Sequence, residues 1–172
     1  TLVWSLQQTE GRGRRGREWQ SPTGNLYTSL VLRPDVPLQQ AAQLGFVAAL
    51  AVHDALGNLS PPGHQVQCKW PNDIWLNEKK VAGILLESHG GGIQEAADWL
   101  ILGMGLNVAF FPDGTETPAT SLRQEGFACS VEEVLAAYTK SFLSWTNRWL
   151  DEGFEPVRKA WQWRCIGKGK EI

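Results

Sequence analysis

The chain opens on an apolar run interrupted by one polar residue, Leu2-Val3-Trp4-Ser5-Leu6, which predicts a short strand. Residues 25–33, built on Leu26-Tyr27-Thr28-Ser29-Leu30-Val31-Leu32, predict a second strand, broken by Pro34 and Pro37. Leu38–Leu56 then reads as one helix. Pro37 suits its first turn, the run is Ala-rich with its apolar residues on one broad face, and Gly57-Asn58 ends it before the Ser60-Pro61-Pro62-Gly63 loop. Val66–Trp70 alternates as a half-buried strand and stops at Pro71-Asn72-Asp73. Ile74-Trp75-Leu76 and Val81–Glu87 predict a hairpin turning at residues 77–80. A Gly90-Gly91-Gly92 turn follows, then an apolar strand through Trp99–Leu102 that leads into Gly103-Met104-Gly105-Leu106-Asn107-Val108.

The back of the chain changes period. Ser130 with Glu133 three residues on makes a capping box. Val131, Val134, Leu135, Tyr138, Phe142, Trp145 and Trp149 then recur at helical spacing until Gly153, and Pro156 begins a shorter helix. Hairpins and longer strands kept apart from helices predict an α+β fold, a mixed and largely antiparallel sheet flanked by helices. Residues 1–163 form one domain of ordinary size. Residues 164–172 resemble the opening of a further β segment, and both ends of the chain read as cut.

Against that frame one loop is exceptional. Gly11-Arg12-Gly13-Arg14-Arg15-Gly16-Arg17-Glu18-Trp19 sets four arginines among three glycines. Arginine suits phosphate and carboxylate because its planar fork donates two parallel hydrogen bonds and keeps its charge. Glycine lets backbone N–H groups come close to an anion. Three other readings of the loop compete. The string satisfies G-x-G-x-x-G with Asp35 beyond it, but a dinucleotide site needs a strand before the glycines and a helix after them, and here a loop and a strand follow. A disordered Arg/Gly arm coating nucleic acid and a plain solvated loop are the others.

Charge narrows the choice. The net charge is −2 and the pI about 5.9, so the basic loop is a local device rather than part of a basic face for nucleic acid. Three cysteines (Cys68, Cys129 and Cys165) have no C-x-x-C spacing, which argues against a disulfide framework or a zinc site. No apolar run reaches the length of a membrane span and no signal pattern opens the chain, so a cytoplasmic setting is expected. Of nine tryptophans, Trp145, Trp149, Trp161 and Trp163 read as packing residues at the back of the chain.

Candidate chemistry then falls into a few places. Lys69 stands at a strand end before a proline turn, where sheets present functional groups; a solvent-facing lysine is the plain alternative. Lys80 in its hairpin turn reads by default as a solvated lysine, and Asn72 and Asp73 as turn formers. Gly103 and Gly105 either mark a bulge or let a ligand lie on the backbone, with Asn107 able to read a base edge. Trp19 could stack on a base or tuck into the core. There is no P-loop, no Gly-x-Ser-x-Gly elbow and no metal spacing among His53, His64 and His89. A site of Arg, Lys, glycine backbone and an aromatic works by positioning and electrostatics, as phosphoryl or nucleotidyl transfer requires.

Taken in order, Gly-Arg-Gly-Arg-Arg-Gly-Arg-x-Trp (11–19), Lys-Trp-Pro-Asn-Asp (69–73), Lys-x-Ala-Gly-Ile-Leu-x-Glu (80–87) and Gly-x-Gly-x-Asn-Val (103–108) resemble the catalytic domain of biotin protein ligases. The resemblance covers roughly residues 2–125 and loosely extends to 163. It implies a fold like that of class II aminoacyl-tRNA synthetases. It also implies a two-step reaction, in which biotin and ATP give biotinyl-5′-AMP and a lysine of a biotin carboxyl carrier domain then takes the biotinyl group. Mg²⁺ would accompany the ATP, with its ligands undefined. By position, Lys69 and Arg14 would be catalytic, and Gln8, Arg12, Arg14, Lys69, Gly83, Ser88 and Gly90 would meet biotin. Arg14, Arg17, Trp19, Asn72, Lys80 and Asn107 would meet the nucleotide. The resemblance leaves a homodimer open and points to neither membrane nor nucleic acid for these residues. A family segment that holds the biotin ring is expected ahead of Gln8, and a small C-terminal β domain after residue 163. A lipoate or octanoate ligase or transferase of the same fold is the nearest alternative, and a non-catalytic biotin or nucleotide-binding module the alternative from another class.

Overall fold

A computed structural model describes residues 1–90 and 95–167. Six strands form one sheet: β1 (Leu2–Ser5), β2 (Leu26–Leu32), β3 (Val66–Lys69), β4 (Asp73–Leu76), β5 (Lys79–His89) and β6 (Trp99–Leu106). Their order across the sheet is β1-β2-β6-β5-β4-β3, and every pairing between these strands is antiparallel. Among the described residues parallel pairing occurs only in isolated bridges such as Cys68 with Cys165, so the expected mixture is confined there to those contacts.

Directly opposed residues share a face of the sheet, and two neighbouring rows define its two sides. Leu26, Leu106, Ala82, Ile74 and Cys68 stand opposite one another, each 1 % exposed or less. This face packs under the helices α1 (Leu38–Ala41), α2 (Leu44–Leu59), α3 (Val131–Glu152) and α4 (Phe154–Arg164). The adjacent row, Ser5, Tyr27, Gly105, Gly83, Asp73 and Lys69, points the other way. The helices therefore close one side and leave the other for a ligand.

Several expectations need correction. The single helix over Leu38–Leu56 is two pieces. After α1 the chain turns through Ala42 and Gln43 with short-range bonds from Gln43 N–H to the Gln40 carbonyl and from Gly45 N–H to the Ala42 carbonyl. Gln43 is held there by the Trp149 indole, which donates to its Oε1 at 2.7 Å. At the other end α2 runs through Gly57-Asn58 to Leu59, because the effective stop is Ser60, pushed out of helical geometry by the following proline. The hairpin reverses at Asn77-Glu78, both at positive φ, the primed turn that fits strand twist; Lys79 and Lys80 belong to β5. β6 continues through Gly103 and Gly105 in unbroken register with both neighbours, so those glycines mark no bulge.

At the back, Ser130 caps α3 in a full capping box and Gly153 ends the helix at positive φ, as expected. α4 begins at Phe154, with Pro156 inside its first turn. Of residues 164–172, expected to open a further β segment, Arg164 still belongs to α4 and Cys165 makes an isolated bridge to Cys68. Residues 168–172 of that segment lie outside the described residues, as do Gly91 and Gly92 of the expected glycine turn. Trp145 and Trp149 pack in the core, whereas Trp163 is 74 % exposed.

Candidate active site

The open face of the sheet carries a cleft of about 470 Å³, within the size of ordinary small-molecule sites. Its floor is β5 and β6, where Gly83, Leu85, Glu87, Ile101, Gly103 and Gly105 present alternate positions. The arginine loop covers it. That loop is a hairpin pinned by an Arg12–Glu18 bridge, by Gly13 N–H to the Arg17 carbonyl at 2.7 Å and by Trp19 N–H to the Gly11 carbonyl at 2.9 Å. Arg15 and Gly16 turn its tip at φ of 57° and 71°. At Gly11 the backbone passes so close to the Trp19 carbonyl and Ser21 that a Cβ would collide. After these glycines the chain runs into strand β2 rather than opening an α-helix, so the arrangement a dinucleotide fold needs is not met.

Trp19 lies on the sheet rather than in solvent. A Cβ at Gly105 would stand 2.5 Å from its Nε1, and one at Gly83 would stand 3.0 Å from its ring. The two glycines make the slot in which the indole sits. Its Nε1 is buried without a hydrogen-bond partner among the described residues.

Two cations are fixed at one corner by adjacent residues, Asn72 at the end of the β3–β4 turn and Asp73 at the start of β4. The Lys80 ammonium is 2.8 Å from Asp73 Oδ1 and 5.3 Å from the Trp19 ring centroid. Arg14 Nη1 donates to Asn72 Oδ1 at 3.4 Å. Asn72 is itself locked to β5, its Nδ2 donating to the Ile84 carbonyl at 2.6 Å and its carbonyl accepting from Ile84 N–H at 2.9 Å. Asn72 and Asp73 are thus more than turn formers. Each holds one cation at the same corner of the cleft.

A bulge explains how Lys80 reaches this face. Ile74 pairs with Ala82 and Trp75 with Lys80, which leaves Val81 as the extra residue of β5. Val81 and Ala82 are both fully buried, so the bulge turns Lys80 to the Asp73 side, where strict alternation from Gly83 would have pointed it away. Lys69 shares the cleft face but stands on the edge strand. Its ammonium lies 3.7 Å from the Trp75 ring centroid and the residue does not line the cleft. The lysine that lines the cleft is Lys80, whereas Lys69, expected there as well, is turned onto Trp75.

Of the other expected residues, Gln8, Arg12, Arg14, Arg17, Trp19, Asn72, Lys80, Gly83 and Asn107 all line the cleft. Ser88 and Gly90 do not. Gly83, Leu85 and Glu87 share the open face, so Ser88 falls on the other by alternation, and Gly90 lies just beyond β5 against Asp98. Gln8 accepts from the Ser21 hydroxyl at 2.7 Å. Asn107 is 3 % exposed and donates from Nδ2 to the Thr120 carbonyl at 3.0 Å, which fixes its amide at the cleft wall. Sequence reasoning missed Ser29, Leu85, Ile101 and the segment from Pro112 to Ala119. Alternation from Gly83 and Gly105 would have found Leu85 and Ile101. The Pro112–Ala119 segment carries no such signal and comes to the cleft by bonding Lys80 N–H to the Pro118 carbonyl at 2.8 Å.

The cleft is not uniformly basic, because Glu10, Glu18, Asp73, Glu87 and Glu116 also line it. Among the described residues no group of three or more His, Cys, Asp or Glu could hold a metal ion. No helix among them is long and apolar enough to cross a membrane. The three cysteines are free thiols, and burial pushes the Cys68 thiol up to about 12.

A sheet closed by helices on one side, with a glycine-floored and arginine-covered cleft on the other, defines a domain suited to binding an anionic small molecule. Residues 17–163 match the biotin/lipoate A/B protein ligase family, and the chain belongs to that family. It is 44 % identical over 178 residues to the biotin--[acetyl-CoA-carboxylase] ligase of Paracoccus denitrificans, covering 99 % of this chain and 72 % of that protein. It is 37 % identical to the bifunctional ligase/repressor BirA of Bacillus subtilis over 100 % of this chain and 54 % of the relative. In three dimensions it is similar to the biotin protein ligase from Aquifex aeolicus in complex with biotin and ATP. That match has a TM-score of 0.80 and 30 % identity, covering 96 % of this chain and 68 % of the other.

Proposed function

We propose that this domain activates biotin with ATP and passes the biotinyl group to a lysine of a biotin carboxyl carrier domain. A biotin carboxylate oxygen attacks the α-phosphorus of ATP, the bond to the bridging oxygen breaks, and biotinyl-5′-AMP and pyrophosphate result. The acceptor amine then attacks the acyl carbon, loses a proton, and AMP leaves. The observation that carries this reading is the corner where Asp73 and Asn72 hold Lys80 and Arg14 inside the cleft of a chain from this family.

The first step brings two anions together, and the barrier is the charge that builds as the new P–O bond forms. Lys80 and Arg14 supply fixed positive charge there without having to reorganise, so they favour the transition state over the separated reactants. Gln8 and Arg12 hold biotin, while Arg17, Trp19 and Asn107 hold the nucleotide. Gly83 lets the acyl phosphate lie close to the sheet. The arginine hairpin shields the mixed anhydride from water. Mg²⁺ accompanying the nucleotide would offset phosphate charge, and among the described residues no group of three or more His, Cys, Asp or Glu could hold it. Residues 1–163 form the catalytic unit, working in the cytoplasm, where ATP and carboxylase acceptors meet.

The direct test follows biotin-dependent pyrophosphate release and the appearance of biotin on a carrier domain. Formation of biotinyl-5′-AMP followed by a biotinylated lysine is the expected result. Release that is independent of biotin, or supported equally by octanoic or lipoic acid, would overturn the reading.

A further inference from the structure

Lys80 lies past the point where β6 supports β5. β6 ends opposite Ala82, with a last bond from Asn107 N–H to the Val81 carbonyl at 2.8 Å. Beyond it residues 118–120 take the place of β6. Lys80 N–H donates to the Pro118 carbonyl at 2.8 Å, and Thr120 N–H donates to the Lys80 carbonyl at 2.9 Å. The Thr120 carbonyl accepts from Asn107 Nδ2 as well. This short stretch therefore fixes the backbone of the lysine that the Val81 bulge turns into the cleft.

Glu125 holds the stretch in turn. Its carboxylate, 10 % exposed, accepts from the Thr120 hydroxyl at 2.7 Å. From another direction it accepts from Asn77 Nδ2 at 2.8 Å and from the Lys79 ammonium at 3.2 Å. Asn77 belongs to the turn that opens β5, and Lys79 immediately precedes Lys80. One carboxylate thus joins the turn before Lys80 to the stretch beside it. Burial pushes the Glu125 carboxyl up, but the bonds from Thr120, Asn77 and Lys79 outweigh burial and hold it below its ordinary value. Glu125 does not line the cleft, and none of the reaction steps above uses it.

Resting on the function proposed above, we propose that Glu125 is a positioning residue for the activation step, holding Lys80 in place through Thr120 and residues 77–79 without touching either substrate. A charge stabilises a transition state without reorganisation only if its place is fixed beforehand. Lysine carries its charge on a flexible four-carbon stem, so the aim of the ammonium depends on the backbone beneath it. At a bulge that backbone lacks a regular ladder. Bonds to a charged, largely enclosed carboxylate are the strong kind, and three of them meet at Glu125 to supply the rigidity the ladder does not.

The experiment measures biotin-dependent pyrophosphate release by the whole protein with Glu125→Ala, alone and combined with Lys80→Ala. Loss of the charged acceptor should lower turnover about tenfold in Glu125→Ala, with the biotin KM within about twofold of wild type. In the Lys80→Ala background the same change should lower turnover by less than about twofold, because the group that Glu125 positions is gone. Two milder variants keep the test open if Glu125→Ala does not fold. Glu125→Gln, which keeps an acceptor oxygen, should lie between Glu125→Ala and wild type, and Thr120→Val, which removes only the hydroxyl, should lower turnover about threefold. Wild-type turnover in the folded variants would overturn the proposal. So would a full tenfold loss in the Lys80→Ala background, because the effect would then not pass through Lys80. Wild-type protein without biotin-dependent release would remove the proposed function and Glu125's role together, whereas active wild type with unaltered Glu125 variants removes only the latter.

Discussion

The two faces of one sheet have opposite tasks, and neighbouring residues divide them. On the helix side Leu26, Leu106, Ala82, Ile74 and Cys68 exclude water almost completely. One step along each strand, Gly105, Gly83 and Asp73 leave the sheet thin, slotted and charged. The lesson is that the core fixes the register, and the register decides which sheet residues face a ligand. A slip of one residue would exchange the faces.

The largest effect on this division should come from the core. Leu106→Ala removes a fully enclosed side chain beside the cleft floor and should cost about 2–5 kcal/mol in stability, read by denaturant unfolding. A cost below about 1 kcal/mol would mean that this face is not what sets the register. Next comes the slot. Gly105→Ala places a methyl against the Trp19 indole and should shift tryptophan emission and weaken nucleotide-dependent activity. Gly103→Ala, where a Cβ meets only ordinary contacts with Leu85, should leave the emission unchanged. Equal spectra for both variants would contradict the seating of Trp19 between Gly83 and Gly105.

Smaller effects test the helical backing. Ser130→Ala breaks the capping box of α3 and should cost about 1 kcal/mol without changing any KM. The smallest effect is a pH slope. Burial pushes the Asp54 carboxyl up, but hydrogen bonds from His53 and the Trp145 indole, with the Arg164 charge, outweigh burial and hold it below its ordinary value. A carboxyl depressed in the folded state adds stability that is present above the unfolded value of 3.8 and is lost as pH falls through the lower folded value. Melting between pH 7 and pH 3 should therefore fall less steeply in Asp54→Asn than in the wild type. Parallel curves would show that this carboxyl adds nothing.

Much of this organisation was legible because periodicity reports burial. The strands, the capping box of α3 and the largely antiparallel sheet all followed from apolar spacing and turn residues. The glycine-arginine loop declared its site because so many like charges in one short loop have few structural uses. Three features were hidden for physical reasons. The extra residue at Val81 leaves no trace in a run of small and apolar residues, so periodicity alone makes Lys80 a solvated lysine by default and only the family resemblance brings it to the ligand. Asn25 gave no signal, yet its Oδ1 accepts from the backbone N–H groups of Val108, Ala109 and Phe110 and ties the end of β6 to β2. The break after α1 depends on a bond from Trp149, more than a hundred residues away.

The most direct measurement compares Lys80→Ala with Lys69→Ala in biotin-dependent pyrophosphate release. The open-face account predicts that Lys80→Ala lowers turnover by about 10²–10³-fold, as for loss of a preorganised charge at the reacting centre, and that Lys69→Ala stays within about threefold of wild type. The reverse order, with Lys69 essential and Lys80 dispensable, would contradict it.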